Sequence, residues 1–357
     1  MSKVIKKAFH PGSYLKEYLE ELEMTQDEFA KRLGISGKQI SLILSEDANI
    51  TADIAYKLSK LIGTSAEMWL NLQTKYDTYL AEVKANLLYD EEIKIFKMID
   101  KKFLKQMKII DENDNIDDAI EKLRTNILVS SLMLLVQNDI YSFCRTSVEK
   151  ELTIENVVCR NVWISVATQI ARKQETKPFN EKKILENIKV FRKMTLSNPD
   201  IFYPQLKQIL SDCGISLVVL PSLKNSNING VVKWLGSEKV MMALNTRGAY
   251  NDKFWFSFFH ELKHVLQKTK RKMTVGEDNV IPSSEEKLEI EADEFAKETL
   301  IPSKELEKLN KYTEYYITLF AETIGIHPGI VVGRLQKENK IKYSYLNNLK
   351  EKYKIAV

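Results

Sequence analysis

The sequence predicts a mainly α fold with one small β-sheet, an α+β arrangement. Three observations predict it. Capped amphipathic stretches recur from residue 11 to residue 196. Three short stretches rich in β-branched residues fall between residues 215 and 244. Behind them an apolar stretch carries His260-Glu261-Leu262-Lys263-His264. A length of 357 residues suits two or three domains. The composition shifts divide them as 1–80, a helical head; 81–212, a helical linker or sensor region; and 213–357, a metal domain.

Hydrophobic content of 44% and charged content of 29% are ordinary for a soluble globular protein. A net charge of +4 permits nucleic-acid binding without requiring it. The three cysteines, Cys144, Cys159 and Cys213, are odd in number and form no Cys-x-x-Cys pair. They read as core residues of a protein in a reduced, cytoplasmic compartment. The start, Met-Ser-Lys-Val-Ile-Lys-Lys, has no apolar run behind it, which argues against a signal peptide. The most apolar stretch, 127–136, is too short to cross a bilayer, so no membrane partner is expected.

Residues 1–80 read as all-α. Pro11 precedes Leu15, Tyr18, Leu19 and Leu22 at helical spacing. Thr25 and Glu28 have the spacing of a capping box, opening a short helix with Phe29, Ala30 and Leu33 inward and Gly34 as its stop. Ser36 and Gln39 repeat that spacing, and Thr51 and Ser65 read as N-caps of two further helices. Two short capped helices joined by a Gly-Ile turn are the pattern of a helix-turn-helix. The second, at 37–44, buries Ile40, Ile43 and Leu44. At about 100° per residue, Lys38, Ser41, Leu42 and Ser45 fall on the opposite face, with Gln39 at its border. That face suits the major groove of double-stranded DNA. Gln39 or Ser41 can bond base edges, Leu42 can meet a thymine methyl, and Lys38 can take a guanine or a phosphate. Gln26, opening the preceding helix, can bond backbone phosphate.

Residues 10–77, from His-Pro-Gly-Ser through Thr-Gln-Asp-Glu-Phe-Ala-Lys-Arg-Leu-Gly-Ile-Ser to Thr-Ser-Ala-Glu-Met-Trp-Leu-Asn-Leu-Gln, resemble the Xre-type helix-turn-helix of HigA-like antitoxins. The resemblance implies a five-helix fold that binds operator DNA as a homodimer. The chain departs from it at Ser45-Glu46-Asp47-Ala48-Asn49, where the family usually carries Asn-Gly-Lys or similar. Two carboxylates near the phosphate path weaken binding.

The region 81–212 reads as helices packed on one another, with segments near 90–108, 117–143, 153–173 and 181–196. It shows no catalytic motif. Beyond it, 215–220, 231–235 and 239–244 read as strands, and 239–244 is the candidate edge strand that could hold an extended peptide.

The pentad helix, beginning near Lys253, puts His260 and His264 on one face, where they can grip one metal ion. Glu261 sits beside that metal, placed to act as a base on water. Composition alone yields this pattern by chance with a probability of roughly 0.006. A catalytic zinc takes three protein ligands and keeps a further position open, so Zn2+ is the expected cofactor and a third ligand should follow. Residues 286–302 read as a helix ended by Pro302. With Ala292 at 0°, Glu289 falls near about 60°, inside the apolar stripe, and Glu291 near about 260°, at its edge. Glu289 is the candidate third ligand and Glu291 its rival. Asp293 can accept a hydrogen bond from a ligand histidine. His10 and His327 each precede proline and read as structural, with His327 a lesser candidate for an oxyanion donor.

Phe-Trp-Phe-Ser-Phe-Phe-His-Glu-Leu-Lys-His and the later Glu-Ile-Glu-Ala-Asp-Glu-Phe-Ala-Lys-Glu-Thr-Leu-Ile-Pro look like the ImmA/IrrE family of metallopeptidases. His327-Pro-Gly-Ile-Val-Val-Gly-Arg-Leu resembles the tail of its HigA-fused members. The resemblance implies a zincin-like domain in which His260, His264 and Glu289 hold zinc and Glu261 is the general base. It implies a protein substrate, a repressor or a cognate toxin or partner. Lys263 stands where the family usually has Gly, which bears on rate and specificity. The reading is therefore a DNA-binding, antitoxin-like regulator with a zinc endopeptidase domain. The alternative is a non-enzymatic antitoxin or repressor whose metal domain is structural or sensory.

Overall fold

The structure, a computed structural model, describes residues 6–137, 153–246, 250–267 and 282–355. It is mostly helical with one three-stranded sheet, and it divides into two compact units, Met1–Lys94 and Ile95–Val357.

The first unit contains α1 (Pro11–Glu21), α2 (Gln26–Leu33), α3 (Gly37–Leu44), α4 (Ala52–Ile62) and most of α5 (Ala66–Met98). Its core joins one apolar stripe from each helix: Leu15, Phe29, Ile40, Leu58 and Trp69 are all essentially inaccessible. Hydroxyl caps set the helix starts. Thr25, Ser36, Thr51 and Ser65 accept the backbone N–H three residues on. The expected capping boxes at Thr25 and Ser36 are one-sided. Glu28 turns its carboxylate to Arg32, at 2.6 Å, because a charge-assisted bond one turn on competes with the backbone N–H. Gly34 ends α2 at φ 68°, a left-handed conformation that favours glycine. Gly12 has a different reason: a Cβ there would lie 1.9 Å from the Ile43 carbonyl oxygen, so α1 rests directly on the backbone of α3. His10 caps α1, its Nδ1 accepting from the Gly12 N–H at 2.9 Å, and packs edge-on against Tyr76.

The second unit opens with α6 (Lys101–Gln106) and α7 (Ile116–Ile127), followed by a 3-10 turn at Leu132–Val136. The helix expected at 117–143 stops early, at Leu128, which takes a left-handed φ of 56°. Part of that stretch, and Cys144, lie outside the described residues. Then come α8 (Ile154–Lys173), α9 (Glu181–Lys193) and α10 (Pro199–Asp212). The sequence reading missed α10, whose interior Pro204 disguises it. α8 and α10 pack on the sheet, and Trp163 of α8 donates its indole N–H to the Pro221 carbonyl at 3.0 Å. Cys159 and Cys213 are buried, and burial pushes the Cys159 thiol up to about 12, which makes it unreactive.

The sheet has the order β1-β3-β2, formed by β1 (Ile215–Leu220), β2 (Gly230–Trp234) and β3 (Val240–Asn245). β3 runs parallel to β1 and antiparallel to β2. The expectation that 239–244 is an edge strand is thereby corrected. β3 uses both of its edges for pairing, and its side chains are buried almost throughout, so it has no main chain to offer a peptide. β1 is wholly buried, and β2 is the partly exposed edge among the described residues. Behind the sheet lie α11 (Asn251–Leu266), α12 (Pro282–Leu300), α13 (Ser303–Leu306), α14 (Glu314–Ile324) and α15 (Pro328–Lys337). Trp255, Phe258, Phe259 and Leu262 of α11 are inaccessible, so α11 is the central helix of this core. No single described helix is long and apolar enough to cross a membrane.

Candidate metal centre and nucleic-acid interface

α11 and α12 pack side by side and antiparallel: His260 meets Asp293, His264 meets Glu289, and Gln267 meets Leu288. α11 is locked in place by its aromatic face, so the histidines on its other face are presented to α12. Their Nε2 atoms lie 3.0 Å apart. The Glu289 carboxylate closes the cluster, one oxygen 3.3 Å from His260 Nε2 and the other 3.4 Å from His264 Nε2. One ligand atom from each of the three residues lies within 4.8 Å of the others. Glu291 is turned away: it is exposed, and one of its oxygens accepts from Gln267 at 3.3 Å.

Each histidine is held from behind. His260 donates its Nδ1–H to Asp293 at 2.8 Å, and His264 donates its Nδ1–H to the Gln267 side-chain oxygen at 2.8 Å. Gln267 is fixed in turn by donating to the Leu288 carbonyl at 2.9 Å. These bonds fix the ring orientation and turn both Nε2 atoms toward Glu289. Burial lowers the proton affinity of His260, but the Asp293 and Glu289 carboxylates outweigh it and raise its pKa to about 10. Burial acts against the charge of Glu289 too, yet the hydrogen bonds from both histidines hold it far below the usual carboxylate range. Two nitrogens and a carboxylate oxygen, converging and backed by acceptors, fit a divalent ion such as zinc, which competes with protons for the same Nε2 atoms.

Glu261 is near enough to His260, His264 and Glu289 to interact with all three electrostatically. Glu261 is only 7% exposed, and burial raises its pKa. The first residue of β2 covers it: a Cβ at Gly230 would come within 2.5 Å of Glu261 Oε1. Lys263 carries its ammonium over the Phe295 ring of α12, at 5.7 Å from the ring centre. His327 is an N-cap. Its Nδ1 accepts from the Gly329 N–H at 3.1 Å and from Asn251 at 2.7 Å, so it serves α15 and the start of α11. Two site residues escaped the sequence reading. Gln267 was legible as the position three beyond His264, within reach on the same face. Gly230 gave only the weak signal of a glycine inside a strand.

In the first unit, Lys38, Gln39, Ser41, Leu42 and Ser45 are exposed along one side of α3, while Ile40 and Ile43 are buried and Leu44 half-buried. Gln26 is exposed at the first position of α2. Beyond α3, Ser45 donates its hydroxyl to Asp47 at 2.6 Å, and Glu46 adopts a left-handed φ of 69°.

Residues 15–69 match the helix-turn-helix family, and residues 215–336 match the IrrE N-terminal-like domain of the M78 peptidases. The chain is 42% identical over 76 residues to virulence-associated protein I of Dichelobacter nodosus, spanning 21% of this chain and 70% of that protein. It is 30% identical over 98 residues to antitoxin HigA-1 of Vibrio cholerae, spanning 27% of this chain and 89% of that one. A solved structure titled Pseudomonas aeruginosa antitoxin HigA with higBA promoter is 30% identical, over 24% of this chain and 94% of that one, with a TM-score of 0.23. The chain belongs to the HigA/Xre-type helix-turn-helix family through its N-terminal unit, and it carries an IrrE N-terminal-like M78 peptidase domain at its C-terminal end.

Proposed function

We propose that this protein is an antitoxin-like transcriptional regulator whose second unit hydrolyses a peptide bond in a repressor or other partner protein, with zinc as cofactor. Residues 1–80 read an operator as a homodimer, residues 213–357 carry the chemistry, and α8 and α10 of the intervening region back the sheet. The reading places the protein in the cytoplasm. The observation that carries it is the buried Glu261 carboxyl beside a converging His260, His264 and Glu289 donor set. A metal site that serves structure alone fills its coordination positions with protein ligands and needs no adjacent carboxyl base.

Zinc bound there would supply Lewis acidity toward a scissile carbonyl and toward water. The protein's own residues do the rest. His260, His264 and Glu289 fix the ion's position, and Asp293 and Gln267 stop the imidazoles from turning. Glu261 takes the proton from the attacking water and delivers it to the leaving amine. Its raised pKa suits both halves of that exchange. β2, the exposed edge, takes over the peptide-pairing role first expected of 239–244. Its Gly230 brings main chain next to Glu261, where an extended substrate would need to lie.

Metal analysis tests the centre. The purified protein should carry about one zinc per chain, and His260→Ala combined with His264→Ala should carry none. A double variant that keeps its zinc would remove this cluster from the metal site.

DNA binding is tested separately with the promoter DNA upstream of the coding sequence. Lys38→Ala is expected to weaken the gel shift and to lower its salt slope by about one, as for a single lost phosphate contact. Binding that ignores both salt and Lys38 would argue against α3 as the reading helix.

A further inference from the structure

A cavity of about 900 Å3 opens in the second unit toward the N-terminal end of α11. α11 lines it with Phe254, Phe256 and Ser257, and α12 with Lys297 and Leu300. α15, the chain beyond it, and Asn229, Asn245 and Thr246 at the ends of β2 and β3 complete the wall. None of the proposed metal ligands lines it. It is adjacent to them nonetheless: Phe256 lies one turn before His260, and Lys297 one turn after Asp293.

The lining has two characters. Much of it is apolar, from Phe254, Phe256, Leu300, Ile330 and Tyr353. Set into this are five cations, Lys253, Lys297, Arg334, Lys337 and Lys350, against two acids, Asp252 and Glu338. The acids are committed. Asp252 pairs with Lys350 at 2.6 Å, and Glu338 pairs with Arg334 and with Lys340. Lys253, Lys297 and Lys337 have no carboxylate in ion-pair contact among the described residues, so the chamber keeps an excess of positive charge.

We propose that this cavity binds a small, largely apolar molecule bearing an anionic group, a carboxylate or a phosphate. Volume decides against a single peptide side chain, which would leave most of the chamber empty. Sites for whole small molecules run to roughly 300–1,000 Å3, mostly apolar with a few placed polar groups. The excess of cations decides the sign of the ligand's charge. The site is separate from the metal cluster and does not depend on the peptidase reading.

The test is a fluorescence titration of the full-length protein with 8-anilinonaphthalene-1-sulfonate, an apolar anion. Saturable binding of about one probe per chain is expected, weakened about tenfold in the Lys253→Glu, Lys297→Glu double variant. Ser257→Trp, which fills the cavity from a partly exposed position, should reduce binding as well. The His260→Ala, His264→Ala variant should bind like the wild type. Octanoate and octyl phosphate should displace the probe while octanol does not, and the stronger of the two identifies the preferred head group. No saturable binding, affinity unchanged in both cavity variants, loss confined to the histidine variant, or equal displacement by octanol would each overturn the proposal.

Discussion

Replacing Glu261 by glutamine is expected to leave the zinc content unchanged and to lower peptide hydrolysis by about 10²–10⁴-fold, the usual contribution of a positioned general base. Glutamine keeps the size and shape of the side chain, so Gly230 and β2 can remain against it. It cannot accept a proton from water and return it to the amine. The measurement pairs metal analysis with single-turnover cleavage of candidate partner proteins. Cleavage at the wild-type rate would take Glu261 out of the mechanism and favour a domain that holds metal for structure or sensing. Loss of metal together with cleavage would instead make Glu261 a support of the site.

Trp255→Ala is expected to destabilise the second unit by about 3–5 kcal/mol, the range for removing a large aromatic side chain from a packed core. Trp255 is inaccessible and packs against Phe202 of α10, Phe258 and Phe259. Its indole N–H donates to the Tyr353 hydroxyl at 3.0 Å, so the variant also strands a buried polar group. α11 would lose the contact that ties it to α10 and to the C-terminal segment. Because the same helix carries both histidines, zinc affinity should fall with stability. Chemical denaturation followed in parallel by far-ultraviolet circular dichroism and zinc release checks this. A shift below about 1 kcal/mol would mean that the aromatic face of α11 does not hold the unit together.

Much of the N-terminal unit was legible because its signals are local. Thr25, Ser36, Thr51 and Ser65 announce helix starts through bonds that span three residues, and Gly34 announces a stop through its own backbone. The exposed side of α3 follows from a rotation of about 100° per residue. The histidine pair was legible for the same reason: four residues apart on a helix is one face. Glu289 was within reach because the later helix has its own apolar stripe, and a carboxylate inside that stripe needs a partner.

What the sequence could not reach depends on pairing between distant segments. Strand order is one case. The stretch 239–244 reads like any β-branched strand, and nothing local tells it from an edge. Only the fold, by laying β1 and β2 on its two sides, makes β3 central and leaves β2 as the exposed edge. The choice between Glu289 and Glu291 is another, since both lie near the apolar stripe of one helix until α11 fixes which side faces the histidines. Gly230 over Glu261, Gln267 behind His264, and the cationic cavity between α11, α12 and α15 are likewise products of packing. By itself the sequence determined most of the helices, the exposed face of α3 and the placing of His260 and His264 on one helix face, because short-range hydrogen bonds and helical periodicity are written in consecutive residues. The tertiary structure decided the edge, which carboxylate lies beside the histidines, and the chamber, because those are set by which faces exclude water together.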